Sequence, residues 1–240
     1  MHRLAVMSKD GDWIVREDDE ALRHVLAVLE ERGARCRFGA PLDVRWTSGG
    51  WSSHFEFRTD VLRVRADFVT RPPRITPEAL AGLWSRAEQH NAPVPFVDAA
   101  TLAELKKTNR EKDYAVIGEL ARSIADPLEQ MLFSRSARDL LVLARDYPNL
   151  LDEAAARRPV LSHVREGRDA LETALDAERR RLMRAHERRL RAYMEAAKAW
   201  ADAWPSVAAE IRDLPLREAH RLAAQRAQAL LPMRVEVPES

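Results

Sequence analysis

The fold is decided by a run of alternating residues, Val61-Leu62-Arg63-Val64-Arg65-Ala66-Asp67-Phe68-Val69. Apolar side chains recur at every second position, and the charged residues Arg63, Arg65 and Asp67 stand between them. Because successive side chains of a strand point to opposite faces, this spacing predicts a β-strand with one apolar face and one charged face. A charged face on a central strand of a sheet points to a function for that face.

Upstream of this run, the sequence predicts a short strand followed by a helix. The strand covers Asp12 to Val15, and the helix covers Glu20 to Arg32. Asp18 and Asp19 suit the start of a helix, and Gly33 suits its end. One face of the helix is expected to pack on a neighbouring layer, because apolar residues recur at helical spacing at Leu22, Val25, Leu26 and Leu29.

After Gly33 the spacing of apolar residues changes from helical to alternating, which predicts an antiparallel hairpin. Its first strand contains Leu42, Val44 and Trp46, its turn is Ser48-Gly49-Gly50, and its second strand contains Phe55 and Phe57. Downstream of the charged strand, Thr76 and Pro77 predict the start of another helix.

From about Asp98 onward, the sequence predicts helices interrupted at prolines. The breaks are expected near Asp126-Pro127, Pro148, Pro159, Pro205 and Pro215. The stretch from His163 to Trp204 is rich in Ala, Arg, Glu and Leu, and as one helix it would extend roughly 60 Å. The predicted fold class is therefore α+β, with a small mixed or antiparallel sheet and flanking helices followed by an all-α C-terminal region. The predicted domains are an α/β core at 1–97, a helical segment completing that core at 98–158, and a long-helix region at 159–240.

Composition narrows the class of protein. The 240 residues carry a formal net charge of +1 with 32% charged side chains, so any affinity for nucleic acid must come from a local patch. The single cysteine, Cys36, excludes an intramolecular disulfide and a cysteine-only metal cage. No apolar run approaches the roughly 20 residues of a membrane span, and no signal-peptide pattern opens the chain. We therefore expect a cytoplasmic protein that does not bind a membrane.

Three carboxylates form the main candidate site. Asp10 and Asp12 are two residues apart at the start of the first predicted strand, so their side chains point to the same side. Asp67 lies on the charged face of a later strand. Converging carboxylates repel one another unless a cation lies between them, and Mg²⁺ prefers such oxygen ligands. The pair alone favours an exposed turn, so the prediction of a metal site depends on Asp67 and the later motif joining it.

The arrangement resembles a known family. The segment Ser8-Lys9-Asp10-Gly11-Asp12-Trp13-Ile14-Val15, followed by a helix, a hairpin and Arg65-Ala66-Asp67-Phe68-Val69, is similar to nucleotidyltransferases with the DNA polymerase β palm. A downstream segment, Leu105-Lys106-Lys107-Thr108-Asn109-Arg110-Glu111-Lys112-Asp113-Tyr114, resembles the lysine and aspartate motifs of the bacterial subgroup containing abortive-infection and MenA-type toxin enzymes. The resemblance covers roughly the first half of the chain.

The resemblance implies roles for particular residues. Asp10, Asp12 and Asp67 would be catalytic and would hold Mg²⁺. Lys106, with Arg110, would contact nucleotide phosphates, and Asp113 would help to organise the site. If the downstream segment is one helix, these three residues share a face. Substrate contacts are also implied for Ser8 and Lys9, which immediately precede Asp10.

The sequence departs from the family at two points. The family places a Gly-Gly-Ser or Gly-Gly-Thr turn, which grips the triphosphate, before the paired aspartates, but only nine residues precede Asp10 and they hold no such turn. Either the start of the chain is truncated, or this member has lost the triphosphate grip. Ala115 stands where many relatives carry another acidic residue.

Three functional hypotheses follow. The first is a Mg²⁺-dependent nucleotidyltransferase that moves a nucleotidyl group from an NTP to RNA or protein. The second is a catalytically degenerate scaffold or binding module of that fold in a toxin–antitoxin or defence system. The third is a helical adaptor with a small α/β cap, in which the C-terminal helices pair with a second copy or with a partner protein.

Other candidate residues favour structural interpretations. A histidine in a loop, such as His54, is more often solvated or locally hydrogen-bonded than catalytic. No serine stands in a recognisable hydrolase context with a histidine and an acid, so a catalytic triad is not predicted. The arginines between Arg179 and Arg191 could bind an RNA backbone, but a solvated helix face is the favoured interpretation.

Overall fold

The computed structural model describes residues 10–89 and 95–237, which form two compact units. We call residues 10–73 and 189–237 the sheet unit, and residues 74–89 and 95–188 the helical unit. The sheet unit thus combines the N-terminal region with the C-terminal helices. The predicted domain boundaries at 97 and 158 stay a prediction.

The sheet unit contains one four-stranded sheet in the order β1-β4-β3-β2. The strands are β1 (Asp10–Ile14), β2 (Arg35–Cys36), β3 (Ser53–Arg58) and β4 (Arg63–Val69). Strand β1 pairs with β4 in parallel, whereas β4 with β3 and β3 with β2 pair antiparallel. The alternating run that predicted a central strand is β4, which has a neighbour on each side.

Helix α1 (Asp19–Glu31) covers the apolar face of this sheet. The side chain of Asp18 accepts a hydrogen bond from the amide of Ala21 at 2.7 Å, which caps the first turn as predicted. The chain leaves the helix through Gly33, whose φ of 63° favours glycine. Leucines of α1 pack with sheet residues in one buried cluster of Leu22, Leu26, Leu29, Phe55, Ala66 and Phe68.

The predicted first strand of the hairpin is wrong. Val44–Thr47 forms a helical turn, α2, and the antiparallel neighbours of β3 are β2 and β4. Asp43 caps this turn by accepting a hydrogen bond from the amide of Arg45 at 2.9 Å. The indole of Trp46 is fully buried and donates to the carbonyl of Leu231 at 3.0 Å. This long-range contact stabilises the helical turn. The local alternation of apolar residues gives no sign of the contact, so the sequence alone predicted a strand.

The helical unit contains most of the remaining helices. They are α3 (Pro77–Gln89), α4 (Ala99–Leu105), α5 (Glu111–Ser123), α6 (Pro127–Phe133), α7 (Ala137–Asp146) and α8 (Leu151–Arg157). Short 3₁₀ segments at Pro148–Leu150 and Pro159–Glu166 mark two of the predicted proline breaks. Two buried clusters stabilise this unit, one around Leu140 and Leu171 and one around Ile117 and Leu120.

The long C-terminal helix is shorter than predicted. Helix α9 covers Arg168–Ala196, about 43 Å at 1.5 Å per residue, and a new helix, α10 (Lys198–Glu210), follows at once. Pro205 lies inside α10, so the helix break falls at Ala197 and not at the proline. Pro215 precedes α11 (Leu216–Ala227) as predicted. Past residue 98, the described chain contains helices and no strand, and the predicted α+β class is confirmed.

Candidate functional site

The charged face of the sheet brings together residues that are far apart in sequence. In the parallel pairing of β1 with β4, Asp12 lies opposite Asp67, and Asp10 lies opposite Arg65. Neighbouring strands are about 4.8 Å apart, and residues paired in register project to the same face. Asp10, Asp12 and Asp67 therefore share one face, opposite the face that packs on α1.

Strand β3 adds a histidine to this face. His54 is the register partner of Asp67 in the antiparallel pairing of β3 with β4. Its Nδ1 lies 2.6 Å from Oδ1 of Asp67, and its Nε2 lies 3.0 Å from the hydroxyl oxygen of Ser52. The three side chains thus form a continuous hydrogen-bonded series from hydroxyl to imidazole to carboxylate.

Gly39 holds the imidazole from one side. A Cβ atom at this position would lie 2.4 Å from Cδ2 of His54 and 3.2 Å from the carbonyl oxygen of Ser52. The amide of Ala40 donates to that same carbonyl at 3.1 Å. The backbone at 39–40 is therefore packed directly against both Ser52 and His54, which leaves the ring little freedom to rotate.

A polar pocket opens beside this series. Its lining consists of Asp10, Arg37, Phe38, His54, Arg65 and Asp67. Nη1 of Arg65 lies 4.0 Å from Oδ1 of Asp10, and Nε of Arg37 lies 3.5 Å from Oε2 of Glu56. Both separations exceed an ordinary charge-assisted hydrogen bond of about 2.8 Å. The two guanidinium groups are thus only loosely paired in the pocket.

The pocket keeps Asp67 ionised. Burial opposes the charged form of this carboxyl, but the hydrogen bond from His54 and the positive charges of Arg37 and Arg65 outweigh it. The pKa of Asp67 is consequently lowered from its ordinary value. An ionised carboxylate can only accept hydrogen bonds, so Nδ1 of His54 must carry the proton in this contact.

The residues do not fit Mg²⁺ in their present arrangement, although their oxygen donors are of a type that it prefers. Within 10–89 and 95–237, no three histidine, cysteine or acidic side chains are grouped closely enough to hold a metal ion. One oxygen of Asp67 is bonded to His54, and Asp10 faces Arg65. A cationic or hydrogen-bonding side chain therefore stands beside each of these two carboxylates.

The downstream motif belongs to the helical unit. Its residues do not form one helix, since α4 ends at Leu105 and α5 begins at Glu111. The condition for a shared helical face is therefore not met, and Lys106 is the C-cap residue of α4. Arg110 and Asp113 do meet, because Nε of Arg110 donates to Oδ2 of Asp113 at 2.9 Å.

Asp113 has a local structural role at the start of α5. Its side chain is only 6% exposed, and the hydroxyl of Thr108 donates to the same Oδ2 atom. Tyr114 donates its hydroxyl to the carbonyl of Thr108 at 3.1 Å. These contacts fix the loop between α4 and α5. The substrate-binding roles implied for Lys106, Arg110 and Asp113 stay predictions.

Ser8 and Lys9 lie outside the described residues. Sequence reasoning also missed four residues of the site: Arg37 and Phe38, which line the pocket with Asp67, and Gly39 and Ser52, which contact His54. The separation of Ser52 from His54 by one residue would have been a signal only if the second strand of the hairpin had been extended back to Ser52, because alternate residues of a strand share a face. The pairing of His54 with Asp67 could not be predicted from the sequence, because it depends on the register between β3 and β4.

Comparisons with known protein families, curated proteins and solved structures found no match. The resemblance to nucleotidyltransferases therefore rests on the motif residues alone and stays a prediction. None of the helices that the structure describes is long and apolar enough to cross a membrane.

Proposed function

We propose that this chain binds a nucleotide in the pocket on the charged face of its sheet, with the phosphates held by Arg37 and Arg65. The observation that carries the proposal is the presence of two loosely paired guanidinium groups in one polar pocket. Guanidinium is the side-chain group best suited to phosphate, because its planar donors form paired, charge-assisted hydrogen bonds.

The pocket lining holds two guanidinium groups, of Arg37 and Arg65, and two carboxylates, of Asp10 and Asp67, so an anionic ligand depends on how these acidic groups are already paired. Glu56, whose Oε2 lies 3.5 Å from Nε of Arg37, also accepts hydrogen bonds from Arg63 at 2.5 and 3.1 Å. Because Arg63 already pairs with that carboxylate, Glu56 does not hold Arg37 in a close ion pair, and the guanidinium of Arg37 can donate to a ligand. Asp67 is satisfied by His54, so a phosphate entering beside Arg65 meets a carboxylate whose charge is partly offset.

An exposed aromatic ring supports a nucleotide over inorganic phosphate. Phe38 lines the pocket and is 44% exposed, which is high for a phenylalanine. Its ring meets Trp204 edge to face at a centroid distance of 6.0 Å, and this contact supports it from one side. An exposed aromatic face beside a phosphate site can stack a base, and such stacking contributes about 1–3 kcal/mol.

Isothermal titration with ATP, GTP, CTP and UTP, with and without Mg²⁺, tests the proposal. Arg37→Gln and Arg65→Gln should each weaken nucleotide binding roughly 10- to 150-fold, as expected for losing about 1.5–3 kcal/mol of charged hydrogen bonding. Arg58→Gln is the matched control, because Arg58 is an exposed arginine of β3 outside the pocket lining.

The outcomes separate the hypotheses. If no nucleotide binds the wild-type protein, the scaffold or adaptor hypothesis replaces the proposal. Nucleotide binding that is unaffected by both pocket substitutions would place the ligand elsewhere and contradict the assignment to this pocket.

A second candidate function is Mg²⁺-dependent nucleotidyl transfer to RNA or protein through Asp10, Asp12 and Asp67. The observation that favours it is the register of β1 with β4, which sets Asp12 opposite Asp67. It requires the carboxylates to exchange their present neighbours for the metal. Labelled nucleotide added to the same samples distinguishes it, because transfer to an added acceptor would be lost in Asp12→Ala.

The biological setting stays a separate prediction. A role in a toxin–antitoxin or defence pair, and pairing through the C-terminal helices, are implied by resemblance and by helix content. Light scattering at several protein concentrations addresses the pairing directly.

A further inference from the structure

We propose that the hydroxyl of Ser52 is itself an acceptor of the nucleotidyl group, so that the chain modifies itself at this serine. The inference rests on the proposed nucleotide binding, because the pocket must deliver the nucleotide. It goes further by naming the nucleophile, the base that activates it and the covalent product.

The geometry assigns a role to each member of the Ser52, His54 and Asp67 series. The carboxylate of Asp67 accepts a hydrogen bond from Nδ1 of His54, and the neutral tautomer that fits this contact carries its proton on Nδ1 and its lone pair on Nε2. That lone pair, 3.0 Å from the hydroxyl oxygen of Ser52, can then accept the hydroxyl proton. A hydroxyl bonded to a base that is oriented by a carboxylate is the general arrangement of an activated nucleophile.

The surrounding backbone fixes this geometry. Gly39 leaves no room for a side chain against His54, and the amide of Ala40 holds the carbonyl of Ser52. Base and nucleophile are thus held together before any ligand arrives, which removes part of the entropic cost of bringing them together during reaction.

The chemical step balances without a further reactant. The oxygen of Ser52 attacks the α-phosphorus of a nucleoside triphosphate, and the bond from oxygen to phosphorus forms. The bond from the α-phosphorus to the bridging oxygen breaks, pyrophosphate leaves, and the serine proton passes to Nε2 of His54. Arg37 and Arg65 line the pocket beside His54, where they can offset the negative charge that develops on the phosphates.

Mass spectrometry of the intact protein tests the proposal. The wild-type chain is incubated with each NTP in buffer containing Mg²⁺, and a mass increase of one nucleotidyl group is expected, with peptide mapping placing it on Ser52. Ser52→Ala should abolish the adduct, and Ser52→Thr should retain it at a lower rate. His54→Gln should slow its formation on the order of 10²- to 10⁴-fold, the usual contribution of a general base.

Ser206→Ala is the matched control, because Ser206 is an exposed serine of the same unit on α10, away from the pocket lining. This control should form the adduct at the wild-type rate. Ser52→Ala and Ser52→Thr alter the same hydrogen-bonded position, but only Ser52→Thr keeps a hydroxyl. An adduct in Ser52→Thr and none in Ser52→Ala would therefore indicate a chemical role for the hydroxyl.

The results distinguish failure of this inference from failure of the proposed function. If titration shows nucleotide binding but no adduct forms, self-modification is wrong and the binding proposal stands. If an adduct forms equally in Ser52→Ala, the acceptor is a different residue and the assignment is overturned. If no nucleotide binds, both proposals fail together.

Discussion

A glycine in the loop after α2 shows how one missing side chain permits a long-range contact. A Cβ atom at Gly49 would lie 1.8 Å from the carbonyl oxygen of Met233 and 3.2 Å from Cα of Arg234. Both contacts are with backbone, which cannot move aside as a flexible side chain can. Tyr193 also donates its hydroxyl to the carbonyl of Gly49 at 2.8 Å, so the loop is held from two sides.

We expect Gly49→Ala to destabilise the protein by about 1–3 kcal/mol or more, because the added methyl group has no space. Denaturant unfolding of the purified variant measures the change. Gly118→Ala is the control. Gly118 lies within helix α5, and a Cβ atom there would meet only Cβ of Arg135, at 3.9 Å. That substitution should stabilise by about 0.5–1 kcal/mol. Equal effects of the two substitutions would contradict the packing argument.

At the scale of elements, the helical unit contains a buried ion-pair network that joins α6, α8 and α9. Arg158 donates from Nε and Nη2 to the two carboxylate oxygens of Glu178 at 3.0 and 2.7 Å. Its Nη1 donates to the carbonyls of Met131 and Ser134 at 2.8 Å each, which satisfies the C-terminus of α6. Arg135 adds a third cationic contact to Glu178.

Glu178→Ala should cost about 3–5 kcal/mol of unfolding free energy, because it leaves Arg158 and Arg135 buried without their counter-charge. Glu172→Ala on the same helix is the comparison, since its ion pair with Arg168 is exposed and contributes at most about 1 kcal/mol. Thermal or urea unfolding provides both numbers. A loss at Glu178 no greater than that at Glu172 would mean that the network contributes little to stability.

Several helices and strands could be predicted from the sequence. Helix α1, its cap at Asp18 and the strand β4 follow from local spacing, because their apolar faces pack on adjacent layers at a regular period. The turn α2 was missed because alternation at Leu42, Val44 and Trp46 fits a strand equally well. What decides it is the burial of Trp46 against Leu231, a contact 185 residues away.

At the scale of the whole molecule, the candidate site was only partly predictable. The grouping of Asp10, Asp12 and Asp67 on one face could be predicted from the periodicity of two strands. The pairing of His54 with Asp67 could not, because it depends on the register between β3 and β4. The C-terminal helices of the sheet unit could not be assigned there either, since Leu216 of α11 joins the cluster beneath the sheet only through tertiary packing.

The pH dependence of global stability should reveal a buried histidine, His220 on α11. Burial lowers its pKa from 6.5 to about 4, and its Nε2 atom is buried without a hydrogen-bond partner. Asp43 partly counters this effect of burial, whereas Arg45 reinforces it. In the unfolded chain the imidazole takes up a proton below about pH 6.5, whereas the folded protein resists protonation down to about pH 4. The unfolded state therefore binds more protons in this window, so stability is full above pH 6.5 and falls as the pH decreases towards 4. The total loss should be roughly 3 kcal/mol.

Urea unfolding at half-unit steps from pH 7 to pH 4.5 measures the dependence of stability on pH, and His220→Leu should flatten it. The other histidines are common to both proteins, so the difference isolates His220, and an identical slope in the variant would show that the imidazole is already solvated in the folded state.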